Sequence, residues 1–229
     1  MSQFNDELKK LDPEFTERFD YFAFEQVPSS TTLDDQSRYL AILGCLLGLQ
    51  GKEEFEAILP MALKSLTLVE IKEVVYQATA YLGIGRVYPF LEITNKVFKE
   101  QGIELPVEKQ STTTLDDRRE KGTQAQVDIF GDHMKEAYKK ATVNYFLASN
   151  CFGDYYTRTG LTLKQRELIT FCYIAAQGGC EPQLKAHTQA NLNMGNDKEF
   201  LMNVVLNLVP YMGYPRSLNA IACINEVCE

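Results

Sequence analysis

The segment Gly178-Gly179-Cys180-Glu181-Pro182-Gln183-Leu184-Lys185-Ala186-His187 gathers a thiol, an amide and an imidazole in one short stretch. Two glycines break the preceding helix, and Pro182 suits the first turn of a new one, where no amide donor is needed. Cys180 is therefore expected just ahead of a helix N-terminus. The dipole there favours a thiolate, and the adjacent Glu181 opposes it. Gln183 and His187 are four residues apart and share a helix face. Cys180 and His187 fall roughly 10 Å apart along a regular helix axis, too far for a direct nucleophile–base pair without a bridging group or water. An imidazole titrates near neutral pH, so His187 is the candidate proton carrier, with Glu167 on the preceding helix able to orient its ring. The competing reading is a satisfied core histidine, since Leu184, Ala186 and Ala190 suggest a buried helix.

The other candidates are fewer. The chain has two histidines, His133 and His187, which excludes a multi-histidine metal site. No phosphate loop, glycine-rich dinucleotide turn or zinc spacing occurs, and no cofactor is expected. His133 reads as a surface or packing residue. Arg86 and Arg216 follow Tyr-x-Gly turns and read chiefly as structural ion-pairing groups, each able to reach a carboxylate of the protein or of a substrate. Cys223 and Cys228 read as core-facing thiols, and the run from Asp116 to Lys121 as solvated charge.

These residues must be held by helices. Apolar residues recur at three- and four-residue spacing and alternation is nearly absent, which predicts an all-α fold. The stripes cover 39–47, 55–63 (interrupted by Pro60), 69–81 and 87–98. Residues 101–126 lose periodicity and read as a connection. Helical spacing resumes over 127–138 and 143–152, and after a turn at 157–160 over 164–176, 182–193, 200–211 and 215–227.

A shift of 130 residues exposes a repeat. IKEVVYQATAYLGIGR from Ile71 and LMNVVLNLVPYMGYPR from Leu201 share five of sixteen positions. The Thr-Leu pairs at 32–33 and 162–163 are expected to open a helix in each copy, and Gly83 and Gly213 to supply left-handed caps. The expected organisation is two tandem helical repeats, 1–105 and 127–229, joined by a linker at 106–126 and packed as a pseudo-symmetric pair. Ser37, Gln50, Glu53 and Ala57 stand opposite Glu167, Cys180, Gln183 and His187. Any reaction centre is thus expected in the second copy, with the first as scaffold.

Charge limits the partners. The net charge is −8 and the pI about 5.0, so the acidic surface argues against nucleic acid or an anionic membrane. The longest apolar run, 40–49, is far short of the ~20 residues that span a bilayer. The N-terminal MSQFNDELKK lacks an apolar signal region, and six unclustered cysteines read as reduced thiols, so a cytoplasmic location is expected.

LTLKQREL, GGCEPQLKAH and the YMGYPRSLNAI ending, all between Leu161 and Val227, resemble the carboxymuconolactone decarboxylase family, which includes the alkylhydroperoxidase D-like proteins. A weaker likeness over 12–106 implies a tandem form. The resemblance implies an alkylhydroperoxidase D-like helical bundle assembled into trimers, hexamers or similar homo-oligomers, and a small-molecule substrate. The redox branch carries Cys-x-x-Cys-x-x-x-His and an upstream glutamate. Cys180, His187 and Glu167 match it, whereas Gln183 takes the second cysteine's place. A disulfide-cycling peroxidase needs that second thiol. The decarboxylase branch does not, and loss of carbon dioxide from an unsaturated lactone acid leaves a carbanion that needs an acid and a hydrogen-bond donor. The resemblance thus implies His187 as proton donor, Glu167 as its orienting group, Gln183 as a donor, and Arg166 or Arg216 holding a carboxylate. A one-cysteine peroxidase using Cys180 and a non-catalytic helical scaffold are the alternatives.

Overall fold

The computed structural model describes residues 4–229, and every regular element in that range is helical. Met1, Ser2 and Gln3, the start of the segment read for a leader, lie outside the described residues. The helices are α1 (Asp6–Leu11), α2 (Pro13–Tyr21), α3 (Val27–Ser29), α4 (Asp35–Leu49), α5 (Lys52–Ala62), α6 (Leu68–Leu82), α7 (Ile84–Glu100), α8 (Arg118–Phe130), α9 (Thr142–Phe146), α10 (Leu163–Gln177), α11 (Glu181–Asn193) and α12 (Lys198–Cys228). Wider, π-type turns join α2 to α3 over Phe22–Gln26 and extend α9 over Leu147–Tyr156. Among the described residues no helix is long and apolar enough to cross a membrane.

The centre of the bundle is the pair α4 and α10. Asp34 caps α4 by accepting from the Ser37 amide, and Thr162 and Gln165 close a capping box on α10. Every residue from Tyr39 to Gly48 is buried on α4, and every one from Arg166 to Ala176 on α10. Gly48 allows the close approach. A Cβ there would stand 2.6 Å from the Tyr173 carbonyl oxygen and 2.9 Å from Ala176 Cβ, so no larger residue fits without moving a helix.

α10 then packs on α11, and α11 on α12; on the other side α5, α6 and α7 surround α4. Helices α4 to α7 run in the same order as α10, α11 and the two arms of α12, which bends at Gly213 (φ 75°, ψ 167°). Gly83 joins α6 to α7 in the matching conformation (φ 77°, ψ 152°). Positive φ with extended ψ is open essentially to glycine alone, so these glycines act as sharp corners between consecutive helices, not as the left-handed caps the sequence suggests.

The structure departs from the sequence reading at four further places. Residues 118–130 form α8, where a linker is expected, so the acidic-basic run 116–121 opens a helix. The stripe read through 138 ends at Phe130 and gives way to short 3₁₀ turns. Three helices fill the first thirty residues, where no pattern is evident. Finally, α4 is capped by Asp34, two residues later than the Thr32-Leu33 pair implies.

Candidate functional site

α10 and α11 bring Glu167 and His187 together. Glu167 Oε2 lies 2.7 Å from His187 Nδ1. Glu167 is fully buried, whereas the His187 side chain keeps 11% of its surface exposed, so the imidazole has a path to solvent. Asn191, one turn beyond His187, locks the two helices by donating to the backbone carbonyls of Glu167 (2.9 Å) and His187 (2.8 Å). With Nδ1–H held by the carboxylate, Nε2 is the nitrogen left to exchange a proton. The second carboxylate oxygen, Glu167 Oε1, is buried without a hydrogen-bond partner among the described residues. Such an acceptor is expensive to leave without a donor, and it is free to take a proton or a hydrogen bond.

Two rings flank the imidazole. Tyr81 of α6 and Phe130 of α8 meet it edge-on, with centroids 5.5 and 5.7 Å away. Neither is evident as a site residue in the sequence; Tyr81 stands out there only through its repeat partner Tyr211. Its hydroxyl heads a buried chain. Tyr81 Oη is 2.7 Å from Tyr156 Oη, which is 2.7 Å from Thr170 Oγ1, and Gln77 Nε2 donates to Thr170 at 2.9 Å. Thr170 is fully buried and finds no other acceptor among the described residues, so the polarity that satisfies it runs Thr170 to Tyr156 to Tyr81. Cys151 Sγ also lies 3.8 Å from Tyr81 Oη. Burial pushes the Tyr81 and Tyr156 hydroxyls well above the usual tyrosine range, so both stay protonated donors.

Arg166 does not join the site as a substrate-binding group. It is fully buried, and its guanidinium reaches Gln77 Oε1 (2.8 Å), Glu73 Oε2 (3.1 Å) and the carbonyls of Arg158 (2.8 Å) and Thr159 (3.2 Å). One face of the helix carries Glu167 toward α11 and the next carries Arg166 toward α6; of its guanidinium only Nε–H lacks a partner among the described residues, and that atom is buried. Burial lowers its pKa, offset by Glu73. Arg216 is also placed elsewhere: it donates to the Ala176 carbonyl at the C-terminus of α10, and Arg86 donates to Gln177 Oε1 at 2.9 Å. Both cations serve the negative end of one helix, where a carboxylate partner was expected.

Cys180 precedes α11 as anticipated, and its Sγ accepts from Gln177 Nε2 at 3.1 Å. It lines a crevice of about 10 Å³ with Leu184, Arg216 and Asn219, neighbours different from those of His187. Gln183 is exposed on the outer face of α11. The structure thus unites Glu167 and His187, adds Tyr81, and leaves Cys180, Gln183, Arg166 and Arg216 outside that group.

Comparison with known proteins gives a likeness in fold over nearly the whole chain and a family match over its second half. A solved chain described as a gamma-carboxymuconolactone decarboxylase subunit of Burkholderia xenovorans has the same helical architecture, with a TM-score of 0.56 at 23% identity over 97% of this chain and 90% of that one. The 4-carboxymuconolactone decarboxylase of Acinetobacter baylyi is 26% identical over 116 residues, 48% of this chain and 86% of that protein. Residues 142–226, which carry α10, α11 and nearly all of α12, match the carboxymuconolactone decarboxylase family. The likeness to that family at the level of sequence thus covers residues 142–226.

Proposed function

We propose that the protein is a carboxymuconolactone decarboxylase-like lyase whose working group is the Glu167–His187 pair. The observation that carries the reading is the 2.7 Å contact between a buried carboxylate and a partly exposed imidazole, against whose ring Tyr81 packs edge-on. In an unsaturated lactone acid the bond to the carboxylate carbon breaks and carbon dioxide leaves. Its electron pair passes into the conjugated lactone, where negative charge gathers on the carbonyl oxygen. In this reading Tyr81 donates to that oxygen, as a preorganised donor in a water-poor setting. His187 Nε2–H then delivers a proton to carbon, and Glu167 holds the ring and stabilises its charged form. Solvent at the exposed edge of the imidazole restores the proton. In this reading the first half acts as scaffold and also lends Tyr81, the two halves are copies of one unit, and the molecule works as a homo-oligomer.

The test is turnover of 4-carboxymuconolactone, followed by its ultraviolet absorbance. His187→Gln should lower kcat by about 10²–10⁴-fold, the usual worth of a positioned general acid, with the helical circular dichroism unchanged. Unchanged turnover in that variant removes His187 from the reaction. Hydroperoxide consumption by the same preparation, abolished by Cys180→Ser and not by His187→Gln, would instead establish the thiol peroxidase.

A further inference from the structure

A second cavity, of about 630 Å³, opens between α6, α7 and the stretch that follows α7. Its volume lies in the range of small-molecule sites, and it shares no lining residue with the Glu167–His187 pair. Tyr88, Leu91 and Leu105 form an apolar wall, and Lys72, Glu92, Asn95 and Lys99 supply the polar part.

Lys72 is the anomaly. It is 4% exposed, yet it has no carboxylate within ion-pair distance among the described residues. The other buried charges are matched: Arg166 and Glu73 pair with one another, Glu167 holds His187, and Glu70 accepts from Thr67 and Gln36. The Lys72 ammonium donates to Asn95 Oδ1 and lies 5.5 Å from the Phe98 ring centroid and 5.9 Å from that of Tyr76. An ammonium has three donors, and one side-chain acceptor leaves it short of an anion. Asn95, having given its oxygen to Lys72, keeps Nδ2 as a donor on the same site.

We propose that this cavity binds a small monocarboxylate with an apolar body, its carboxylate held by Lys72 Nζ and Asn95 Nδ2 and its hydrocarbon part against Tyr88, Leu91 and Leu105. Glu92 and Lys99 line the same cavity with opposite charges, which leaves Lys72 as its one uncompensated charge and matches a singly charged acid better than phosphate or a dicarboxylate. Burial lowers the Lys72 pKa, and an anion beside the ammonium opposes that shift.

The experiment uses the full chain and isothermal titration calorimetry with benzoate and hexanoate, their neutral amides benzamide and hexanamide, and inorganic phosphate. At least one acid should bind ten-fold or more tightly than its amide and than phosphate. Lys72→Met, which keeps the apolar stem, should weaken the acid ten-fold or more, and His187→Gln should leave it unchanged. Equal binding of acid and amide, or undiminished binding to Lys72→Met, overturns the proposal. So does loss of binding in His187→Gln, or failure of both acids to bind at tens of millimolar. If Lys72→Met does not fold, acylation of wild-type Lys72 by an acetyl ester, read by mass spectrometry, replaces it: the acid should protect Lys72 three-fold or more, and equal labelling with and without acid overturns the proposal.

Discussion

α4 and α10 are matched in length and lie side by side, yet they bury different chemistry. From Tyr39 to Gly48 the buried face of α4 carries aliphatic and aromatic groups, glycines and one thiol, whereas α10 buries Arg166, Glu167 and Thr170 among its apolar residues. At the 130-residue offset read from the sequence, Ser37 and Ala57 stand opposite Glu167 and His187. A buried charge is tolerable only with a partner, and α10 has partners on both sides: His187 on α11 for the carboxylate, Glu73 on α6 for the guanidinium. The difference teaches that the second half holds the buried Glu167–His187 pair while the first supplies the carboxylate that neutralises Arg166 and the Tyr81 ring that packs on His187.

The largest effect that separates the halves is on turnover. The ~10²–10⁴-fold loss expected for His187→Gln should have no mirror image, because Ala57→His, even with Ser37→Glu, lacks the tyrosine chain that ends at Tyr81. Measurable turnover restored to His187→Gln by those two changes would erase the distinction. Next is the neutralising contact. Glu73→Ala leaves the Arg166 guanidinium buried without its carboxylate and should cost about 3–5 kcal/mol of unfolding free energy in urea. Replacing both members, Glu73→Leu with Arg166→Met, should cost much less than that single change.

The two repeat tyrosines give a sharper and smaller contrast. Tyr81→Phe breaks the hydroxyl chain and should cost about 0.5–1.5 kcal/mol and lower kcat more than it raises KM. The Tyr211 hydroxyl is buried with no hydrogen-bond partner among the described residues, so Tyr211→Phe should leave stability unchanged or raise it. Equal losses from the two would end the claim that they serve different ends.

The smallest effect is on the alkaline side. Burial pushes the Cys151 thiol up to about 12 and carries Tyr81 and Tyr156 upward with it. The folded state therefore holds protons that the unfolded chain releases from about pH 8.5 for a thiol. Fewer protons are bound when unfolded, so stability declines as pH rises from there toward 12. Cys151→Ala should flatten that decline by at most about 1.4 kcal/mol per pH unit.

Much of this was legible in the residues. The stripes that became α4, α6, α10 and α11 are strong because each buries a wide face, and the Glu167–His187 contact follows from two neighbouring helices joined by a short glycine turn. Arg166 shows the limit. It adjoins Glu167 in sequence, and only the packing of α6, far away in the chain, decides that it turns inward to Glu73. Tyr81 and Phe130 reach His187 through equally remote contacts. α8 escaped notice because its buried face, Gly122, Ala125, Gln126 and Ile129, is narrow and built partly of small and polar residues, which leaves little periodic signal.

The glycine-mediated crossing of α4 with α10 reaches beyond the site. Each helix covers the other's apolar side, so neither half owns a closed interior that would survive alone. A chain cut in the stretch between α7 and α8 would yield two fragments whose folding is bimolecular, and recovery of the native helix content should then depend on fragment concentration.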